Sequence, residues 1–277
     1  MGIKLGIDVG GSTTKIVGIK ENNCFGMLQV RAADQVTSMY GAIGNLLSKF
    51  GMSPDDVSEI YLTGVGASFI NEQIYGIKTL KVNEFAAIGQ GALDLTGLDE
   101  ALVVSMGTGT AFVRASKNEV KHIGGSGVGG GTIVGLASLI LGKSDVDAVI
   151  ALANKGDIRN IDLSVSDILD EEKQTLPFDL TAANFGKIKS TASDSDIALG
   201  ILNMVFETVG MLAVFALKND MIKDVVITGT LATFPQAEAV MSRFKKLTGY
   251  NFIIPKDAVF ATALGAAHYS SASSSSV

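Results

Sequence analysis

Asp8 and Lys15 flank the turn Gly10-Gly11-Ser12-Thr13-Thr14, and a second cluster, Gly107-Thr108-Gly109-Thr110, follows the apolar run Leu102–Met106. Each has the form of an apolar strand, a tight turn and a return strand. Glycine lets backbone N–H groups approach an anion with no Cβ in the way. The hydroxyls of Ser12, Thr13, Thr14, Thr108 and Thr110 can add donors. Two such turns can grip the phosphates of one nucleotide from two sides, which predicts ATP binding and phosphoryl transfer. Asp8 ends the first strand pointing at the same place. A carboxylate beside phosphates calls for a divalent cation between them, so Mg²⁺ held through water is expected at Asp8. Lys15 supplies a point positive charge. Taken singly, each turn also fits an ordinary β-hairpin with Asp8 as a capping side chain. The pair favours phosphate.

Two further features extend this chemistry. Gly127-Val128-Gly129-Gly130-Gly131 opens a helix predicted over 132–141, and N–H groups left free at a helix start attract phosphate. A hinge or close helix packing would use the same glycines. Asn83 caps a helix predicted through Leu93, with Glu84 in its first turn, where negative charge is favoured. A carboxylate there can also accept the proton of an acceptor alcohol as a P–O bond forms. Spacing alone favours the structural account of Glu84.

The elements that must position these residues alternate. Strands are predicted at 3–8, 14–20 and 24–30, a helix over 35–50, and a strand at 58–63 running into the glycine turn Gly64-Val65-Gly66-Ala67. A short strand at 79–82 precedes the Glu84 helix. The theme then restarts with strands at 101–105 and 111–115, which suggests two similar α/β lobes facing across a cleft. An inserted polar segment (155–175) precedes an apolar helix over 199–217. Strands follow at 224–228 and 251–254, then a small-residue helix over 262–269 in which Gly265 reads as a packing glycine. The expected division is an N-terminal lobe over 1–98, a C-terminal lobe over 99–269 and a mobile Ser-rich tail over 270–277.

The chain has 277 residues, 47% of them hydrophobic and 18% charged, as expected of a packed globular protein. A net charge of −6, no Trp and no basic run argue against a nucleic-acid surface. The single cysteine, Cys24, excludes internal disulfides and a cysteine-clustered metal site within one chain, and two histidines are too few for a His-based centre. The N-terminus enters a strand at once, without a signal core, so a cytoplasmic protein is expected. The run 199–217 approaches the length of a membrane span but carries Glu207 near its middle, which favours a helix buried in the core or at a subunit interface.

These turns, with the buried strand ending at Gly229-Thr230, resemble the nucleotide-binding signature of the actin-like ATPase and sugar kinase superfamily. Most of the chain is similar to type II pantothenate kinases. The similarity is carried by GIDVGGSTTKIV (6–17), Asn83-Glu84-Phe85, GTGT (107–110), GSGVGGGTIVGL (125–136), Gly156-Asp157, Ile161-Asp162-Leu163 and DLTAANFG (179–186). The resemblance implies an α/β fold of two duplicated actin-like (ribonuclease H-like) lobes with ATP in the cleft, using Mg²⁺ to phosphorylate pantothenate, the opening step of coenzyme A synthesis. It implies a homodimer, with the long apolar helix as the candidate interface, and acyl-CoA as a feedback ligand.

Residue by residue, the resemblance makes Glu84 the catalytic carboxylate. It puts Gly127, Gly129, Gly130 and Gly131 on the nucleotide, and Gly229 and Thr230 beside the adenosine. Asn184 is implicated at the substrate. Family kinases carry an Arg before the glycine segment, where this chain has His122 preceded by Lys121. Arg offers a permanent forked charge and His does not. Lys121 or His122 substitutes for it, or the acceptor is a different alcohol (pantetheine-like or an amino sugar), or activity is low and the chain is a nucleotide- or acyl-CoA-binding regulator. A partner-driving ATPase like the 2-hydroxyacyl-CoA dehydratase activators shares the first turn. Those proteins bridge an iron–sulfur cluster through cysteines, and Cys24 is not placed for one.

Overall fold

The computed structural model describes residues 2–269 except 22, 33, 71–72 and 169–179. The tail expected over 270–277 and part of the inserted polar segment lie outside the described residues. In the first half, β1 (Ile3–Val9), β2 (Thr13–Lys20) and β3 (Asn23–Arg31) form the expected antiparallel meander. β4 (Val57–Thr63) pairs with β1 in parallel and β5 (Lys78–Lys81) with β4, giving the order β3-β2-β1-β4-β5. Helix α1 (Gln35–Lys49) is capped by Asp34, whose carboxylate accepts from the Thr37 N–H. Its Met39, Ile43, Leu46 and Leu47 recur at helical spacing and pack on Leu5, Ile7 and Ile60 of the sheet. Helix α2 (Glu84–Thr96) closes this half.

The second half repeats the plan. β6 (Glu100–Met106), β7 (Thr110–Ser116) and β8 (Val120–Ser126) form another meander, so Gly124 and Gly125 belong to a strand. There follow α3 (Gly130–Leu141), α4 (Val146–Ala153), a small ribbon of β9 (Leu163–Ser164) and β10 (Thr181–Ala183), and α5 (Asp194–Ala216). Then come β11 (Asp224–Thr228), α6 (Pro235–Thr248), β12 (Asn251–Ile253) and α7 (Ala261–His268). The sheet order β12-β11-β6-β7-β8 mirrors that of the first. The expectation of two duplicated α/β lobes is met.

Helix α5 begins before the expected 199 because Ser193 and Asp196 form a capping box ahead of the apolar run. It is long and apolar enough to cross a membrane. Its Ile201, Leu202, Val205, Phe206 and Val209 are instead fully buried in the core of the second lobe. Glu207 pairs with Arg243 of α6 at 3.3 Å. That is the pattern of a core helix with one paired charge.

The two closing helices are exchanged. Ile88, Ala92 and Leu93 of α2 pack on Ala101, Val103 and Val113 of the second sheet. Ala263, Leu264 and Ala267 of α7 pack on Val17 and Ile19 of the first. The helices cross backbone to backbone at Gly91 and Gly265. A methyl group at Gly265 would lie 2.0 Å from the Ala87 carbonyl oxygen and 2.5 Å from the Gly91 nitrogen. Those neighbours are backbone and cannot step aside, so Gly265 is the packing glycine expected. Gly265→Ala should therefore destabilise the fold by about 1–3 kcal/mol despite alanine's better helix propensity. A urea midpoint equal to or above that of the unsubstituted protein would overturn this account of the crossing.

Candidate active site

The first hairpin places Asp8 and Lys15 directly opposite each other in the β1–β2 register. Both are buried at 7% exposure, with Lys15 Nζ 3.4 Å from Asp8 Oδ2. The turn closes through the Gly10 N–H, which donates to the Thr13 carbonyl. Burial pushes the Asp8 carboxyl above the ordinary aspartate range, and the Lys15 charge pulls it partly back. The second hairpin closes through the Gly107 N–H donating to the Gly109 carbonyl, and the Thr110 hydroxyl donates to the Val128 carbonyl.

A cleft of about 650 Å³ joins the two hairpins. Its lining includes Asp8, Gly10, Gly11, Ser12, Thr13 and Lys15 from the first hairpin, and Gly107, Thr108 and Gly109 from the second. Glu84, His122, Gly130, Gly131, Gly229 and Thr230 complete the sequence-predicted residues that the fold gathers there. The fully buried Thr14 turns away, and its hydroxyl lies 3.0 Å from that of Ser38 on α1. Alternation along the strand explains this, since Thr13 and Lys15 face the cleft. Gly127 and Gly129 are outside the lining.

The N–H groups expected to be free at the start of α3 are occupied. Gly130 donates to the Gly107 carbonyl at 2.9 Å and Gly131 to that of Thr108 at 2.8 Å. The glycine run thus docks a helix end flush against the second turn. A methyl at Gly129 would lie 2.8 Å from the Gly109 Cα, so close packing fixes that position. The α3 dipole still points into the cleft.

Glu84 begins α2, where the Asn83 side chain accepts from the Ala86 N–H at 3.1 Å. The structural reading of this pair therefore holds, and the carboxylate also faces the cleft. Burial raises the Glu84 pKa, the neighbouring Asp8 charge raises it further, and Lys15 opposes both. Phe85 presents its ring to His122, stacked at 3.9 Å between centroids and 13° between planes. His122 thus forms part of the cleft wall. Alternation along β8 sends Lys121 to the opposite face. Asp8, Glu84 and Lys15 are the ionisable core of the cleft. No group of three or more His, Cys, Asp or Glu among the described residues could hold a metal. Asp8 beside Lys15 suits a cation completed by phosphate oxygens and water, not a protein cage.

Asn184 lies elsewhere. Its amide donates to Glu207 at 2.9 Å and to Asp162 at 3.3 Å. Asp162 also accepts from the Phe185 N–H and from Asn203, which in turn accepts from Arg243. This network brackets the segment around Asn184 to α5 and α6, at the polar end of a second cavity of about 550 Å³ that Met211, Leu212, Phe215 and Leu247 also line. The spacing of the motif gave no sign of this, because the partners come from three separate elements. The apolar lining of the cleft, Ile88, Val134, Leu231 and Phe234 among it, was also missed. Those residues read in sequence as ordinary core positions.

Two mixed sheets with exchanged helices and a glycine-hairpin cleft between them define the actin-like ATPase and sugar kinase fold. Component A of (R)-2-hydroxyglutaryl-CoA dehydratase from Acidaminococcus fermentans superposes with a TM-score of 0.70 at 20% identity, covering 98% of each chain. A ROK family glucokinase from Streptomyces griseus, in complex with glucose and AMPPNP, gives 0.59 at 12% identity over 96% of this chain and 98% of that one. The Fumble family model matches residues 98–245, and the chain belongs to that family. The type II pantothenate kinase of Staphylococcus epidermidis is 28% identical across 95% of this chain and 99% of its own. That of Bacillus anthracis is 27% identical across 96% of each.

Because folding raises both cleft carboxyls, their stabilising contribution is full at low pH and is lost as pH rises through their folded-state values. Titrated by carbon-detected NMR, Glu84 should ionise above the ordinary glutamate value of 4.5. Asp8→Asn should lower that midpoint by removing a like charge, and Lys15→Met should raise it. A Glu84 midpoint at or below the ordinary value would show that the cleft does not desolvate this group.

Proposed function

We propose that this protein transfers the γ-phosphoryl group of ATP to the primary hydroxyl of pantothenate, forming 4'-phosphopantothenate at the entry to coenzyme A biosynthesis. The observation that carries the reading is Glu84 on a capped helix end, facing two glycine hairpins in one cleft. The full-length similarity to type II pantothenate kinases supports the choice of acceptor.

In this reading the two hairpin turns hold the phosphates, Lys15 holds charge beside them, and Gly229 and Thr230 take the adenosine. The acceptor oxygen attacks the γ-phosphorus, the bond to the β,γ-bridging oxygen breaks, and ADP leaves. Glu84 accepts the acceptor's proton as the new P–O bond forms, and its raised pKa makes it the better base for this. A Mg²⁺ ion at Asp8 would supply neutralising charge to the phosphates. His122, stacked on Phe85, offers the acceptor an aromatic wall with single hydrogen-bond donors where family kinases present a guanidinium. That substitution favours, as the second reading, a less acidic alcohol as acceptor.

ADP release with ATP should be measured against pantothenate, pantetheine, N-acetylglucosamine and no acceptor, with and without EDTA. Turnover should depend on pantothenate, vanish with EDTA, and fall about 10²–10⁴-fold in Glu84→Gln while ADP still binds. Turnover with another acceptor alone would keep the mechanism and replace the substrate. Nucleotide binding without any acceptor-dependent turnover would sink the kinase reading.

We also propose that the protein works as a homodimer through α5. Its Phe215 (63% exposed) and Met211 lie in the open beside the second cavity, more apolar surface than a core helix needs to show. Sedimentation at micromolar concentration should give a dimer that Phe215→Glu dissociates, and a monomeric parent protein would overturn the proposal.

A further inference from the structure

The glycine turn after β4 has no role in the reading above, yet it is a structural copy of the turn after β11. The segments are Thr63-Gly64-Val65-Gly66-Ala67-Ser68-Phe69 and Thr228-Gly229-Thr230-Leu231-Ala232-Thr233-Phe234. Thr, Gly, Ala and Phe coincide, and Ser68 matches Thr233. Each segment ends the strand that runs parallel to the central strand of its sheet and pairs with it, with Thr63 opposite Asp8 and Thr228 opposite Ser105. Gly64 and Gly229 both adopt φ 87°, where a side chain is strained. Each is followed by a short 3₁₀ turn.

The match extends to single hydrogen bonds. The Ser68 hydroxyl donates to the Val65 carbonyl at 2.8 Å, and the Thr233 hydroxyl donates to that of Thr230 at 2.8 Å. The Ala67 and Ala232 N–H groups donate to the Gly64 and Gly229 carbonyls. Both Thr63 and Thr228 hydroxyls are buried without a hydrogen-bond partner. The two turns are thus related by the same pseudo-symmetry as the sheets. Both present their first residue after the glycine, Val65 or Thr230, to the one cleft.

A kinase cleft holds two ligands, and the duplicated scaffold presents two equivalent turns to it. We propose that the Gly64-Val65 turn is the acceptor-side counterpart of the Gly229-Thr230 turn, and that Val65 contacts the hydrocarbon skeleton of a small aliphatic alcohol. This rests on the kinase reading above. Thr230 is polar, as suits a ribose or base. Val65 is apolar and 64% exposed, on the side of the cleft that carries Glu84, where Phe85 and Ile88 of α2 are the other apolar groups and the rest are carboxylates, an ammonium, glycines and small hydroxyls. Covering that surface with a polar ligand would gain little, and covering it with aliphatic carbon gains the usual free energy of apolar burial. Val65 is therefore a specificity residue, and Glu84 remains the group that handles the proton.

The test uses Val65→Ala and Val65→Thr beside Thr230→Val in the full chain. Val65 is exposed and Thr230 partly so, so all three should fold, and thermal melting verifies it. The Val65 variants should raise the acceptor KM about fivefold or more while the ADP Kd measured by calorimetry moves less than about twofold. Thr230→Val should do the reverse. Val65 variants that leave acceptor KM unchanged, or that weaken ADP as much as acceptor, overturn this inference while the kinase reading stands. If the parent protein binds ADP but turns over no acceptor, the kinase reading falls and this inference falls with it. If it turns over an acceptor other than pantothenate, KM is read with that acceptor.

Discussion

The crossing of α2 and α7 at Gly91 and Gly265 is the contact on which the rest depends. Each helix belongs by sequence to one half and packs on the sheet of the other, so the crossing joins both cores. Two ordinary helices keep their axes 8–10 Å apart because side chains interpose. Here backbone meets backbone, and the sheets are drawn close enough for their central strands to end at one cleft. Glu84 sits at the start of one crossing helix, so its distance from the hairpins is set by a rigid contact about two turns further along. The candidate base is positioned by glycines that never touch a ligand.

The electrostatics follow from that geometry. Bringing the ends of β1 and α2 together places Asp8 and Glu84 in each other's field, with Lys15 as the only cation between them among the cleft-lining residues described. Two partly desolvated carboxylates and one ammonium make an unbalanced site, and the raised pKa values of both acids record the imbalance. Two like charges held this close are destabilising when both are ionised. A cation near Asp8 would relieve this. The helix start at α3 contributes its dipole but not its first N–H groups, because those hold the second hairpin in shape.

Much of this was written locally in the sequence. The hairpin IDVGGSTTK fixes its own register, so the Asp8–Lys15 pairing could be read from glycine position and strand alternation. The Asn83-Glu84 helix start could be read from capping preference. What escaped was non-local or ambiguous. Asn184 belongs to a polar network whose other members lie on α5, α6 and the segment around Asp162, and no spacing rule connects them. Helix α6, which the alternation of strands above does not include, carries clear local signals: Pro235 at the first position, Ala237, Val240, Met241 and Phe244 at helical spacing, and Gly249 at the end in the left-handed conformation. The occupied N–H groups of Gly130 and Gly131 were out of reach, since a glycine run that packs and one that binds phosphate look alike in sequence.

Duplication explains why the cleft exists, and its breaking explains why the cleft can catalyse. The two halves share sheet order, hairpins, glycine turns and a final helix whose start faces the cleft. A perfectly symmetric pair would bind two copies of one ligand and transfer nothing between them. The halves differ where it matters. Helix α2 begins with Glu84, whereas α7 begins with Ala261 and Thr262, so one side of the cleft carries a carboxylate at its helix start and the other does not. The first hairpin has Asp8 where its counterpart has Ser105, so both cleft carboxylates lie on one side. Each substitution on this shared backbone costs the fold little, because the crossing helices and the buried strands already hold the turns in place. Direction of transfer is thus encoded in a few side chains laid on a scaffold that has none of its own.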